Sequence, residues 1–108
     1  MGHHYLLNLY GCSHRILNDE FYLRDLLEDA AICSGATVIQ TISKQFYPQG
    51  VTVLVLLAES HISIHTWPEK GEAAVDIFTC GDCFPKIGID VIIQQVKSDR
   101  HSLKYVKR

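Results

Sequence analysis

Between Val51 and Thr66, two apolar and β-branched stretches, Val51 to Ala58 and His61 to Thr66, stand only two residues apart. So short a gap joins antiparallel neighbours, since parallel strands need a crossover of a dozen residues or more. The second stretch alternates strictly, with Ile62 and Ile64 set between His61, Ser63 and His65. That is the period of a strand with one face in a core. An all-helical fold is excluded by this hairpin.

Similar patterns predict strands over His4 to Tyr10, Ala36 to Phe46 and Ala73 to Thr79, with His101 to Val106 as a last edge strand. Two helices interrupt them. The first is expected to be capped by Asn18, with Asp19 and Glu20 in its first turn. It carries Phe21, Leu23, Leu26, Leu27, Ala30 and Ala31 on one broad face and stops before Gly35. The second runs from Pro85 to Lys97, with Ile89, Ile92, Ile93 and Val96 at helical spacing and the proline in its first turn. Strands outnumber helices and arrive in consecutive runs. The expected fold is therefore α+β, a two-layer sandwich of a largely antiparallel sheet with two helices on one face. Residues 1–108 make one domain, and the bare sheet face needs cover that a second protomer would supply.

Composition narrows the partners. Of the 108 residues 47% are apolar and 20% charged, with a formal net charge of −2, so no polyanion is attracted. The basic residues of the tail, Lys97, Arg100, Lys104, Lys107 and Arg108, read as a solvated surface, and no nucleic-acid partner is expected. No apolar run reaches bilayer length and the N-terminus lacks a signal-peptide pattern, which predicts a cytoplasmic protein with no membrane partner. Cys12, Cys33, Cys80 and Cys83 are then expected as thiols.

One string carries chemistry. Leu57-Ala58-Glu59-Ser60-His61-Ile62-Ser63-Ile64-His65-Thr66-Trp67-Pro68-Glu69 is followed one strand-length later by Asp76-Ile77-Phe78-Thr79-Cys80-Gly81-Asp82. With the opening Gly2-His3-His4-Tyr5-Leu6-Leu7-Asn8-Leu9-Tyr10-Gly11-Cys12 and the turn Pro48-Gln49-Gly50-Val51-Thr52, it resembles the prokaryotic S-adenosylmethionine decarboxylase proenzymes over roughly nine tenths of the chain. The resemblance implies a homodimer or larger assembly of self-cleaved protomers. It also implies cleavage of the Glu59–Ser60 bond, with Ser60 converted into a covalent pyruvoyl group, the sink for electrons released on decarboxylation. No Rossmann fingerprint, phosphate loop or clear pyridoxal lysine offers another sink.

By the same resemblance, His65 is the base that removes the Cα proton of Ser60 during processing, and Cys80 is the acid that reprotonates the product, as a thiol near its ordinary pKa of about 8.5 suits. Phe46, His65 and Trp67 are candidates for the adenine and sulfonium of the substrate, Glu69 for the ribose diol, and Thr52 for support of processing. Thr52 and Glu72 depart from the family pattern, which usually has a serine and an aromatic there. His61 reads either as a supporting donor or as a surface residue. Strand geometry adds a requirement: residues 60 and 65 have opposite parity, so a turn or bulge near Ser60 is expected to bring them together.

The implied activity is decarboxylation of S-adenosylmethionine to the aminopropyl donor for spermidine synthesis. A pyruvoyl-dependent ornithine or arginine decarboxylase would share the processing motif, and a non-catalytic partner subunit is a further alternative. Cys80-Gly81-Asp82-Cys83 is also half a zinc or redox motif, but Cys12, Cys33, His61 and His65 lack paired spacing, so no metal is expected.

Overall fold

The computed structural model describes residues 1–108. The order is β1 (His3–Tyr10), α1 (His14–Leu17), α2 (Glu20–Cys33), β2 (Val38–Gln45), β3 (Val51–Leu57), β4 (Ser60–Trp67), a 3₁₀ turn (Pro68–Lys70), β5 (Glu72–Thr79), α3 (Pro85–Val96) and β6 (Arg100–Lys107). The six strands form one sheet in the order β2-β3-β4-β5-β1-β6, and every neighbouring pair is antiparallel.

Alternation decides the layers. Leu7 and Leu9 of β1, Val51, Val53, Val55 and Leu57 of β3, Ile62 and Ile64 of β4 and Val75 and Ile77 of β5 point to one face. They pack there against Leu23, Leu26, Leu27, Ala30 and Ala31 of α2 and Ile89, Ile92 and Val96 of α3. The opposite face is bare and partly apolar, exposing Leu6, Ile42, Leu54 and Leu56. This is the expected two-layer α+β sandwich, and no helix is long and apolar enough to cross a membrane.

Three details differ from expectation. A four-residue helix, α1, precedes the first long one; four residues are too few to display a helical period. Asp19 caps α2 by accepting from the Tyr22 N–H, whereas Asn18 ends α1. The Asn18 side-chain oxygen instead accepts from the Gly50 N–H at 3.0 Å and from Gln45 at 2.9 Å, tying the β2–β3 turn to the helix layer. Phe21, expected on the buried face of the helix, is 73% exposed.

Candidate active site

Both ends of β4 carry candidate residues. At its start the β3–β4 hairpin turns through Ala58 and Glu59, with Leu57 paired to Ser60. Glu59 sits at φ 64°, a left-handed conformation that costs a side-chain-bearing residue about 1–2 kcal/mol. The Glu59–Ser60 peptide therefore joins a strained residue to the first residue of a regular strand.

Ser60 is buried, and its hydroxyl accepts from the Cys80 N–H at 3.2 Å. The Cys80 thiol lies 3.8 Å from Ser60 Oγ and donates to the Glu59 carbonyl oxygen at 3.2 Å. A nucleophilic oxygen, the carbonyl it would attack and a donor that polarises that carbonyl thus meet at one hairpin tip. β5 makes this possible by running beside β4 and ending at Thr79, which leaves Cys80 level with the turn.

The far end of β4 holds a second group. Thr52 of β3 stands opposite His65 in register, and its Oγ1 lies 2.9 Å from His65 Nδ1. That contact engages Nδ1 and leaves Nε2 as the other ring nitrogen. Phe46, Thr52, His65, Trp67 and Glu69 line one cleft of about 230 Å³. Phe46 and Trp67 are 47% and 42% exposed, so neither is spent on the core of its own chain.

Local structure holds these side chains out. Thr66, between His65 and Trp67, turns inward, donates to the Leu17 carbonyl at 2.8 Å and accepts from the Val51 N–H at 2.9 Å. Gly50 adopts φ 105°, which lets the turn close with the Phe46 N–H on the Gly50 carbonyl at 2.8 Å.

The turn or bulge expected to bring Ser60 to His65 is not found: the hairpin turn lies before Ser60, and no bulge follows it. β4 pairs with β3 and β5 without a register break across its whole length, so Ser60 and His65 sit on opposite faces and roughly 16 Å apart along the strand. Within one chain the structure brings together Glu59, Ser60 and Cys80, and separately Phe46, Thr52, His65, Trp67 and Glu69, but does not join the two sets.

The cysteines differ sharply. All four are free thiols. Cys12, at the His65 end, is buried, and that burial, assisted by the nearby charge of Asp99, pushes its thiol up to about 11. It is inert at neutral pH. Cys80 is partly exposed and engaged with the Glu59 carbonyl.

A third grouping has no counterpart in the sequence reading. His4 of β1, His61 of β4 and Asp76 of β5 converge on the bare sheet face, with both imidazole Nε2 atoms on Asp76 Oδ2, at 2.7 and 2.8 Å. Ser63 donates to the other carboxylate oxygen. Burial pushes the Asp76 carboxyl up, yet hydrogen bonds from Ser63, His4 and His61 and the charge of His61 outweigh it and hold the group below the ordinary carboxylate range. The shared placement of His61 and Asp76 on one face was visible as alternation. The approach of His4 was not, because it depends on β1 lying beside β5.

The chain has close relatives over its full length. Residues 3–108 match the family model described as S-adenosylmethionine decarboxylase. A protein of Prochlorococcus marinus (strain MIT 9313) named S-adenosylmethionine decarboxylase proenzyme is 50% identical, with 100% of this chain and 87% of the relative covered. Another of that name, from Caldanaerobacter subterraneus subsp. tengcongensis, is 45% identical over 100% of this chain and 88% of its own. The crystal structure of the adenosylmethionine decarboxylase from Aquifex aeolicus superposes with a TM-score of 0.94 at 41% identity, covering 100% of this chain and 90% of that one. The Trypanosoma brucei AdoMetDC-delta26 monomer shares the fold, with a TM-score of 0.68 at 16% identity over 94% of this chain and 44% of its own. Sequence, fold and the Glu59–Ser60–Cys80 cluster agree: the chain belongs to the S-adenosylmethionine decarboxylase family.

Proposed function

We propose that this chain is a self-processing S-adenosylmethionine decarboxylase, whose pyruvoyl group derives from Ser60 and whose product is the aminopropyl donor for spermidine synthesis. The observation that carries the reading is the hairpin tip, where Ser60 Oγ, the Glu59 carbonyl and the Cys80 thiol meet beside a left-handed Glu59. Ser60 Oγ loses its proton and attacks the Glu59 carbonyl carbon, and the C–N bond breaks to leave an ester. A base then removes the Ser60 Cα proton, and the C–O bond breaks to free Glu59 as a new carboxyl terminus. The dehydroalanine left at position 60 takes up water and releases ammonia to become the keto group. That group supplies the electron sink for decarboxylation. Cys80 holds the proton returned to the substrate carbon.

The base comes from a second copy. A homodimer formed by packing two bare sheet faces about a two-fold axis, with the β4 strands running oppositely, sets the Ser60 end of one chain against the His65 end of its partner. Exposed Leu6, Ile42, Leu54 and Leu56 supply the apolar surface for that contact. The same packing carries the Phe46–Trp67–Glu69 cleft to Ser60, where rings suit adenine and sulfonium and a carboxylate suits the ribose diol.

Ornithine or arginine as substrate lacks comparable support, since the cleft offers two aromatic rings with a single carboxylate. A non-catalytic role is disfavoured by the presence of every processing group. Four free thiols and the ordinary charge balance accord with a cytoplasmic location.

Denaturing mass spectrometry together with CO2 release tests the proposal. It predicts two chains, one ending at Glu59 and one beginning with pyruvoyl, and CO2 from S-adenosylmethionine but not from arginine or ornithine. Cleavage of Ser60→Ala at the same bond would overturn the processing step, and turnover of arginine alone would overturn the substrate.

A further inference from the structure

We infer that His4, His61 and Asp76 form a binding site for one divalent transition-metal ion of the zinc type on the bare face of the sheet. Their donor atoms lie within 4.8 Å of one another, a compact set of two imidazoles and one carboxylate. That mixture suits zinc, cobalt or nickel, whereas magnesium and calcium require mostly oxygen ligands.

The sheet preorganises the set. His4 and His61 are both cross-strand partners of Phe78, one on each side, and Asp76 is two residues away on the same face. The Phe78 ring lies 5.7 Å from that of His4 and 6.1 Å from that of His61, so both imidazoles rest against one aromatic plate. The Ser63 hydroxyl holds Asp76 Oδ1 and leaves Oδ2 as the ligand atom.

An ion would replace protons already shared here. Both Nε2 atoms now hydrogen-bond to Oδ2 at 2.7 and 2.8 Å, while zinc bonds of about 2.1 Å place neighbouring tetrahedral donors roughly 3.4 Å apart. The carboxylate must withdraw by about 0.6–0.7 Å, and each imidazole must carry its proton on Nδ1. Arg108, whose Nη1 lies 3.5 Å from His4 Nδ1, must then turn aside. The apolar groove beside the cluster, lined by Ile42, Leu54 and Leu56, belongs to the face that the proposed dimer covers, so the ion is loaded before or as the two chains pair. Resting here on the proposed cleavage, His4 falls on one product chain and His61 and Asp76 on the other, so the ion clips the two together.

The test uses untagged Ser60→Ala, which does not depend on processing or catalysis. Equilibrium dialysis and titration with zinc against a chromophoric chelator should give one ion per chain. His4→Ala and Asp76→Asn should each weaken binding at least tenfold. In the wild type, cobalt should give a tetrahedral or five-coordinate spectrum without a thiolate charge-transfer band, a readout that survives even if the variants fold poorly. No stoichiometric binding, affinity unchanged by His4→Ala in a folded variant, or a thiolate band from Cys80 and Cys83 would each overturn the site.

Discussion

The two ends of β4 share one strand and differ in almost every chemical respect. At the Ser60 end the backbone is strained, the hydroxyl is buried and a thiol touches the carbonyl of the preceding residue. At the His65 end the backbone is relaxed into a hydrogen-bonded turn, the rings stand exposed, and the cysteine, Cys12, is sealed in the core. In the proposed mechanism one end breaks a bond, and the other holds a flat ligand and takes a proton. A regular strand cannot bend the two together, so separation by parity and length turns a catalytic requirement into an assembly requirement.

The largest effect that tests this contrast is the loss of the base. His65→Ala should slow processing by roughly 10²–10⁴-fold, the usual worth of a general base, and should accumulate an ester that hydroxylamine cleaves. Fast, complete processing in that variant would move the base elsewhere. Cys80→Ser should still be cleaved, because a hydroxyl also donates to the Glu59 carbonyl, but kcat should fall by about 10²-fold as the weaker acid fails to return the proton. Cys83→Ser should leave both steps unchanged, and equal damage from the two would assign the pair a joint role.

Smaller effects are expected at the binding end. Glu69→Gln should raise KM about fivefold with kcat nearly constant, since a charged acceptor holds a hydroxyl about 1 kcal/mol more strongly than an amide. A fall in kcat alone would place Glu69 in the chemistry instead. Cys12 touches no step of the chemistry, and its effect shows only in alkali. Its folded thiol, raised to about 11, is protonated where the unfolded thiol, near 9, has ionised. The stability this contributes is complete below pH 9 and is lost as pH rises from about 9 to about 11, by about 2.7 kcal/mol at most. Urea unfolding of Cys12→Ala across that range should show a flatter alkaline limb than the wild type.

Much of this was legible in the sequence. Strict alternation over His61 to Thr66 revealed the strand and its two faces, which the structure extends to Ser60–Trp67, and the numbering set the opposite parity of Ser60 and His65. The step from parity to a bulge failed, because it required Ser60 and His65 to meet within one chain, although the bare sheet face already called for a second. Asn18 and Asp19 are both good caps, and only the fold reveals that one ends a helix and the other begins one. The cluster of His4, His61 and Asp76 was illegible for a different reason. Its members come from β1, β4 and β5, and their adjacency is a property of strand order.

The central claim is that each active site is shared between two chains, and complementation tests it most directly. Ser60→Ala and His65→Ala chains, each defective alone, are unfolded together, refolded as a mixture and followed by mass spectrometry. A shared site predicts that the His65→Ala chain is now cut at Glu59–Ser60, because its intact serine meets the intact histidine of its Ser60→Ala partner, and that decarboxylation of S-adenosylmethionine appears. If the mixture forms dimers and the His65→Ala chain is cut no faster than when alone, the site lies within one chain and the account is wrong.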